Sequence, residues 1–311
     1  MSITSRVAII GAGNVGATAA YALMLRGLFT EIVVIDSSAD RAVAEATDIA
    51  DANAIARPAR IWAGDYADVK DADVLVLTAG ATTQGEETRT SIASKSAAIV
   101  RACVNDAMAA GFDGVIVVSS NPVDAMAQVA QAASGLPAAR VIGTGTLLDS
   151  NRFRKRVADR LAIAPGAVEA MVLGEHGDSE VVAYSTVRIG GVSLGAYLGD
   201  QQLDLPAIAH DVVRAGYTIN HGKGYTSFGV ASAIVRICEA VQRDERVVLP
   251  VSTRLDGQYG IDDLYLSLPS LIGAAGVLRV LTPELAPDEL SALSRSADAL
   301  RETLAGLEDR G

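Results

Sequence analysis

The chain has 311 residues, of which 50% are hydrophobic, so it can bury a large core, and its length favours two domains. Its net charge of −11 argues against a nucleic-acid-binding protein, which needs a basic face. No uninterrupted apolar stretch reaches the roughly 18 residues of a membrane span. The first strand-like run begins at residue 6, which leaves no room for a signal peptide, and the two cysteines suit a reducing compartment. We therefore expect a cytoplasmic protein.

The N-terminal segment combines a strand, a glycine-rich turn, a helix and an acid. Apolar residues 6–10 precede Gly11-Ala12-Gly13-Asn14-Val15-Gly16, a helical pattern covers 17–25, and a second apolar run ends in Asp36, 20 residues beyond Gly16. Such glycines permit a tight turn and close approach of a pyrophosphate, and the helix N-terminus attracts the phosphates. An acid at the position of Asp36 accepts hydrogen bonds from ribose and repels a 2′-phosphate. The segment predicts NAD binding, the alternative being a glycine-rich turn without a ligand.

Strand-like and helical stretches alternate over the first half of the chain. The apolar runs lie near 6–10, 31–35, 59–62, 73–78, 115–118 and 140–142. Six such runs fit a doubly wound parallel sheet. After a helical stretch at 147–161 come short strands, long helical patterns near 204–220 and 227–242, a strand pair near 246–252 and 261–267, and a C-terminal helix from about Pro287. We predict an α/β protein with an NAD-binding Rossmann domain over 1–143 and an α+β catalytic domain over 144–311.

One of only three histidines lies in the turn-like sequence Gly174-Glu175-His176-Gly177-Asp178. An imidazole between glycines is badly placed for core packing and well placed to face a ligand. Upstream, Asp149 and Arg152 are spaced i, i+3 in a helical pattern and share one helix face. A carboxylate that orients an imidazole and a guanidinium that grips an anion can move a proton on a small carboxylic acid. The alternative is a histidine that caps a surface turn and a solvated ion pair. Scattered histidines argue against zinc, so no metal is expected.

In combination, these motifs resemble the L-lactate/malate dehydrogenase superfamily, and within it L-lactate and L-2-hydroxyisocaproate dehydrogenases most. The resemblance runs essentially end to end. Besides the glycine turn and the histidine segment, it rests on 78–81 (Thr-Ala-Gly-Ala), 87–89 (Glu-Thr-Arg), 120–124 (Ser-Asn-Pro-Val-Asp), 143–149 and 223–226 (Lys-Gly-Tyr-Thr). The resemblance implies an NAD-dependent L-2-hydroxy-acid dehydrogenase with L-lactate as the default substrate.

The resemblance also implies a role for each matching residue. His176 is the proton donor and acceptor, Asp149 holds its imidazole, and Arg152 clamps the substrate carboxylate. Arg89 belongs to a mobile loop that closes over the substrate, although it could instead be a helix-start arginine paired with Glu86 or Glu87. The remaining positions are Asn121 at the substrate oxygen and the cofactor, Thr226 in the pocket wall, Thr78, Ala79 and Gly80 along the cofactor, and Thr83 at the position that selects substrate size.

At Thr83 the chain departs from the family pattern, since lactate dehydrogenases usually carry Gln there and malate dehydrogenases Arg. Residues 82–85 contain no cation, and Glu86 adds a negative charge. A second substrate carboxylate would therefore be repelled, which disfavours oxaloacetate. Thr is shorter than Gln, so 2-oxo acids bulkier than pyruvate remain possible substrates, as does pyruvate itself. The alternatives are a hydroxyisocaproate-type enzyme, a malate dehydrogenase, and a non-catalytic dinucleotide-binding protein.

Two further expectations come from the resemblance. Allosteric bacterial relatives bind fructose bisphosphate through an Arg and a His, and here Arg154 matches the first while Glu169 replaces the second. Because an acid repels phosphate, we predict no activation by this sugar. The hydrophobic helices of the second half and the resemblance together predict a homodimer or homotetramer.

Overall fold

A computed structural model describes residues 4–56, 58–81 and 89–308, and within the last range the side chains of residues 91–307. Its centre is a nine-stranded sheet. Six parallel strands come from the first half of the chain: β1 (Arg6–Ile10), β2 (Glu31–Ile35), β3 (Arg60–Ala63), β4 (Val74–Leu77), β5 (Val115–Val118) and β6 (Val141–Gly143). They lie in the order β3-β2-β1-β4-β5-β6, so the chain reverses its direction of travel between β1 and β4. This is the doubly wound topology that the sequence predicts.

The parallel strands β1, β2, β4, β5 and β6 are buried almost throughout, which explains their runs of Val, Ile and Leu, whereas β3 at the edge of the sheet is partly exposed. Successive side chains of a strand point to opposite faces. Ala8 and Ile10 accordingly enter one hydrophobic core, and Val7 and Ile9 enter another. Helices connect and cover these strands: α1 (Asn14–Arg26), α2 (Ala39–Asn53), α3 (Arg89–Ala109) and α4 (Val123–Ser134).

The second half begins with α5 (Leu147–Leu161) and then forms small antiparallel sheets. Their strands are β7 (Val168–Glu169), β8 (Val172–Leu173), β9 (Val181–Val182), β10 (Arg188–Ile189) and β11 (Val192–Ser193). The helices α6 (Leu194–Leu198), α7 (Leu205–Lys223), α8 (Phe228–Gln242) and α9 (Pro287–Glu308) follow the chain to its last described residues. A third core lies among α5, α7 and the small strands, with Phe153 at its centre.

Three antiparallel strands of the second half extend the central sheet, the long β12 (Val247–Asp256) and β13 (Asp262–Gly273) and the short β14 (Gly276–Val280). β12 joins the parallel strands where Ser252 faces Gly143. The two halves of the chain therefore share one sheet, which fixes their relative positions. None of the helices in the described part of the chain is both long and apolar enough to cross a membrane.

The strand pair of the second half is longer than the sequence predicts. Pro250 and Pro269 lie inside β12 and β13, where a residue without an N–H would interrupt a ladder. They face each other in the register. In an antiparallel pair, every second pair of opposite residues exchanges no hydrogen bonds. Two prolines that face each other at such a position cost no bond between the strands, so both strands continue through them.

Candidate active site

The glycine turn after β1 has a separate structural reason for each glycine. Gly11 has φ +106°, and a Cβ there would lie 2.7 Å from the backbone nitrogen of Ala79. At Gly16 a Cβ would lie 1.8 Å from the carbonyl oxygen of Gly11, so this position packs the helix onto the turn. A Cβ at Gly13 would meet nothing within 4 Å. The turn thus leaves open space at Gly13, where a pyrophosphate can approach the backbone.

The helix that follows this turn can receive phosphate. α1 starts at Asn14, followed by Val15 and Gly16, and no side chain caps its first turn. At the end of β2, the Asp36 carboxylate accepts hydrogen bonds from the backbone N–H of Ala12 (2.7 Å) and of Ser38 (2.9 Å). A carboxylate has about four acceptor positions, so ribose hydroxyls can still bind to it. These residues fit the adenosine and pyrophosphate parts of NAD.

The segment after β4 supports the same turn. The Thr78 hydroxyl donates to the carbonyl oxygen of Gly11 at 2.8 Å, and the Ala79 N–H donates to that of Ile10 at 3.0 Å. Gly80 follows and is exposed. Thr78 therefore contributes to the cofactor region by holding the turn in place.

His176, Asp149 and Arg152 form one cluster. The His176 Nδ1–H donates to Asp149 Oδ2 at 2.6 Å, and Arg152 Nη1 donates to Asp149 Oδ1 at 2.9 Å. The Asp149 side chain is 2% exposed and that of Arg152 is 15% exposed. The alternative of a solvated surface pair is therefore wrong. The first two turns of α5 deliver the acid and the arginine, and the segment after β8 delivers the histidine.

This cluster shares a cavity of about 380 Å³ with the start of α1. Val15 lines it on the side of the glycine turn, and Leu148 and Ala233 contribute apolar surface. Residues that the sequence singles out and that also line the cavity are Asn121, Asp149, Arg152, His176 and Thr226. A nicotinamide ring and a small acid would therefore meet in the same cavity.

The electrostatics of the cluster favour a charged imidazole. Burial alone would lower the pKa of His176, but the neighbouring carboxylates, Asp149 first and then Asp124 and Glu180, together outweigh burial and raise the pKa to about 9. For Asp149, burial alone would raise the pKa, and the neighbouring His176 and Arg152 cations lower it instead. His176 is therefore protonated and Asp149 ionised near neutral pH, so this imidazole is able to donate a proton.

Sequence reasoning missed two acids around His176. The buried carboxylate of Asp124, in the first turn of α4, accepts the backbone N–H of His176 at 2.8 Å. Burial raises the pKa of Asp124 to about 6. Glu180 lines the cavity itself. Asp124 belongs to the motif 120–124, which could have drawn attention to it, whereas no sequence pattern pointed to Glu180.

The cluster contains residue types that can bind a metal. Asp149, His176 and Glu180 each place one donor atom within 4.8 Å of the others. However, His176 Nδ1 and Asp149 Oδ2 are 2.6 Å apart. Two ligands of one tetrahedral zinc ion lie roughly 3.3 Å apart, because each is about 2.0–2.2 Å from the metal. The contact is that of a hydrogen bond, and a metal-free site stays a prediction.

Some predicted residues lie outside the described part of the chain. Arg89 is the first residue of α3, but its side chain is not among those described. Thr83 and the two glutamates that could pair with Arg89 precede this helix and lie outside the described residues. The loop-closure role of Arg89 and the size-selecting role of Thr83 therefore stay predictions.

The residues expected at an effector site line a second cavity. Arg154 Nε donates to the carbonyl oxygen of Ala170 at 2.7 Å, and Glu169 lies on the same cavity wall. Burial lowers the pKa of Arg154, and the charge of Glu169 opposes that effect. The arginine thus already has a carboxylate neighbour, which supports the predicted lack of activation by fructose bisphosphate.

This fold and this cluster together define a class of protein, the two-domain oxidoreductases that bind a dinucleotide. A family model for the lactate/malate dehydrogenase NAD binding domain matches residues 5–143, and one for the lactate/malate dehydrogenase alpha/beta C-terminal domain matches residues 146–309. The chain therefore belongs to the lactate/malate dehydrogenase family.

Individual relatives are similar over nearly their whole length. The chain is 41% identical to an L-lactate dehydrogenase of Priestia megaterium, with 96% of each chain covered. It is 40% identical to an L-lactate dehydrogenase of Limosilactobacillus reuteri, covering 95% of this chain and 93% of that one. The minor L-lactate dehydrogenase of Enterococcus mundtii in its ligands-bound form superposes with a TM-score of 0.95 at 38% identity, covering 97% of this chain and 98% of that chain.

Substitutions of two glycines separate cofactor binding from folding. Gly13→Ala adds a Cβ into open space, so we expect a stability loss of about 1 kcal/mol or less and at least a tenfold loss of NADH affinity. Gly16→Ala forces a Cβ against the Gly11 carbonyl, so we expect a large drop in Tm. Thermal unfolding and NADH fluorescence titration measure both effects. Unchanged NADH binding by Gly13→Ala would contradict the assigned pyrophosphate site.

Proposed function

We propose that this chain is an NAD-dependent L-lactate dehydrogenase that converts pyruvate, NADH and a proton into L-lactate and NAD⁺. The observation that carries the proposal is the single cavity that joins the start of α1 to the buried His176–Asp149–Arg152 cluster. A fold that binds a dinucleotide at one end of such a cavity and a proton donor at the other can reduce a carbonyl group. The L-lactate dehydrogenases among the relatives support the choice of substrate.

Arg152 and His176 have different roles in the proposed reaction. Arg152 uses Nη1 to bind Asp149, and because a guanidinium has five N–H donors it can also hold the substrate carboxylate. NADH, when bound, supplies the hydride to the carbonyl carbon. Negative charge then grows on the carbonyl oxygen, and His176, whose Nδ1–H is held by Asp149, transfers its other ring proton to that oxygen.

Other residues complete this scheme. Asn121 lines the cavity, where its amide can contact the carbonyl oxygen and the cofactor, and Thr226 also lines it. Arg89 is proposed to close over the substrate and polarise its carbonyl group. Gly11, Gly13, Asn14, Val15, Gly16, Asp36, Thr78, Ala79 and Gly80 are proposed to hold NAD. At pH 7 a histidine with a pKa near 9 is charged in about 99 of 100 molecules, which favours reduction of the 2-oxo acid.

The proposal also covers the domain boundaries, the location and the assembly of the chain. We assign NAD binding to residues 1–143 and the catalytic domain to 144–311, a division supported by family-model matches over 5–143 and 146–309. A cytoplasmic location and a homodimeric or homotetrameric assembly complete the proposal. Exposed apolar side chains on three helices, Leu25 on α1, Ile219 on α7 and Phe228 on α8, support an assembly.

The direct test is a comparison of substrates. NADH oxidation is followed by absorbance with pyruvate, 2-oxoisocaproate, phenylpyruvate and oxaloacetate in parallel. We expect the highest kcat/KM with pyruvate. A preference for the bulkier monocarboxylates would replace the proposal with a hydroxyisocaproate-type enzyme, and a preference for oxaloacetate would replace it with a malate dehydrogenase. No turnover with any of the four would support a non-catalytic dinucleotide-binding protein.

His176→Asn removes the proton donor while keeping a side chain of similar polarity. We expect turnover of pyruvate to fall by more than about a hundredfold, because proton transfer to the carbonyl oxygen is lost. NADH affinity, measured by fluorescence, should stay within about threefold of the unsubstituted chain, since the dinucleotide turn is untouched. An equal loss of NADH binding and turnover would mean that His176 is structural.

The substrate-size position is tested by Thr83→Arg, with Thr82→Arg as the matched control. An arginine at residue 83 supplies the missing partner for a second carboxylate. We therefore expect the ratio of kcat/KM for oxaloacetate over pyruvate to rise by at least about tenfold. The control should move this ratio less. No change with Thr83→Arg would contradict the assignment of Thr83 to this position.

A further inference from the structure

Glu180 is a third ionisable side chain in the cavity that holds His176 and Asp149. It directly precedes β9 and lines the cavity wall together with Arg152. One of its side-chain oxygens lies within 4.8 Å of donor atoms of both Asp149 and His176. Its Oε1 atom is buried and has no hydrogen-bond partner among the described residues. A buried carboxylate oxygen without a donor is costly when it is ionised.

The charged and polar groups around Glu180 come from three structural elements. α5 contributes Asp149 and Arg152, and the segment after β8 contributes His176 and Asp178. α7 contributes Tyr217, whose hydroxyl donates to Asp178 at 3.0 Å. With Glu180 ionised, three carboxylates face two cations. With Glu180 protonated, two carboxylates face two cations, and the cavity no longer carries an excess negative charge.

We propose that Glu180 must be protonated for the carboxylate of a 2-oxo acid to bind, so that it determines the pH range over which the enzyme accepts its anionic substrate. This inference rests on the proposed function and concerns the same cavity. The substrate carboxylate binds at Arg152, which lines the cavity with Glu180. An ionised Glu180 would repel it within the same cavity. A protonated Glu180 removes the repulsion and gains an O–H donor.

Electrostatics of the cavity support this assignment. Burial, followed by the charge of Asp149, raises the pKa of Glu180 to about 8, against the opposing effect of the His176 and Arg152 cations. Glu180 is therefore largely neutral at pH 7 and ionises as the pH rises through 8. Since the pKa of His176 is about 9, His176 is still about nine-tenths protonated at the pH where Glu180 is half ionised. This separation makes the contribution of Glu180 measurable.

The experiment uses oxamate, a non-reducible monocarboxylate of the same shape as pyruvate, bound to the full-length enzyme with NADH from pH 6 to 10. For the unsubstituted chain we expect its Kd to rise about tenfold per pH unit between about pH 8 and 9, and more steeply above 9 as His176 also deprotonates. Glu180→Gln keeps the shape and cannot ionise, so its Kd should stay level to about pH 9. The same loss of binding from pH 8 in Glu180→Gln would overturn the proposal.

Glu175→Gln is the matched control. It removes a carboxylate from the same segment, one that accepts a hydrogen bond from the Ser179 hydroxyl. We expect oxamate binding by this control to weaken over the same pH range as oxamate binding by the unsubstituted chain. If the Kd of oxamate became independent of pH in Glu175→Gln as well as in Glu180→Gln, this would also contradict the proposal. The loss of any nearby negative charge would then be enough to remove the pH dependence.

A second measurement does not depend on a variant. Calorimetry in buffers of different ionisation enthalpy counts the protons that the unsubstituted enzyme–NADH complex takes up with oxamate at pH 8. We expect about half a proton from Glu180 and about a tenth from His176. Uptake of a tenth of a proton or less would overturn the proposal. Oxamate that fails to bind even at pH 6 would instead overturn the proposed function, and this inference with it.

Discussion

The buried hydrogen bond between His176 and Asp149 is the interaction on which the site depends. Burying either charge alone is expensive, and each makes the burial of the other tolerable. Arg152 adds a second bond to the same carboxylate, and Asp124 accepts the backbone N–H of His176. The imidazole is thus fixed by its ring and by its backbone. A fixed, charged imidazole needs little reorganisation when it donates its proton.

The fold explains why these groups lie in one cavity with the start of α1. In doubly wound sheets, ligands bind beyond the carboxyl ends of the strands, near the point where the strand order reverses. Here β1 is followed by the glycine turn, β4 by Thr78, β5 by Asn121 and β6 by the start of α5 with Asp149. Because β12 pairs with β6, the second half of the chain is held against this edge. One continuous sheet therefore positions groups that are distant in sequence.

Much of this arrangement could be predicted from the sequence, because local patterns encode it. The six parallel strands are short apolar runs, and the glycine turn and the i, i+3 pair in α5 follow from spacing alone. β14 carries no comparable signal, since two of its five residues are exposed and it forms only an edge strand. The sharing of one sheet by both halves depends on the pairing of β12 with β6, which residue patterns do not specify.

The acids around His176 also show what could not be predicted from the sequence. Glu180 appears in the sequence as one more charged residue, and only the folded chain reveals that its carboxylate lies near Asp149 and that its Oε1 atom is buried. Asp124 belongs to a recognisable motif, but its bond to the backbone of His176 joins residues 52 positions apart. Electrostatic effects of this kind depend on distance and burial, so sequence spacing cannot supply them.

The central claim is that Asp149 keeps His176 protonated, and NMR titration of the His176 imidazole tests it most directly. With only three histidines in the chain, the signal can be assigned by comparison with His176→Asn. The account predicts a pKa of about 9 for His176, and a clearly lower value after Asp149→Asn removes the carboxylate charge. A pKa at or below the ordinary value of about 6.5 in the unsubstituted enzyme would contradict the account.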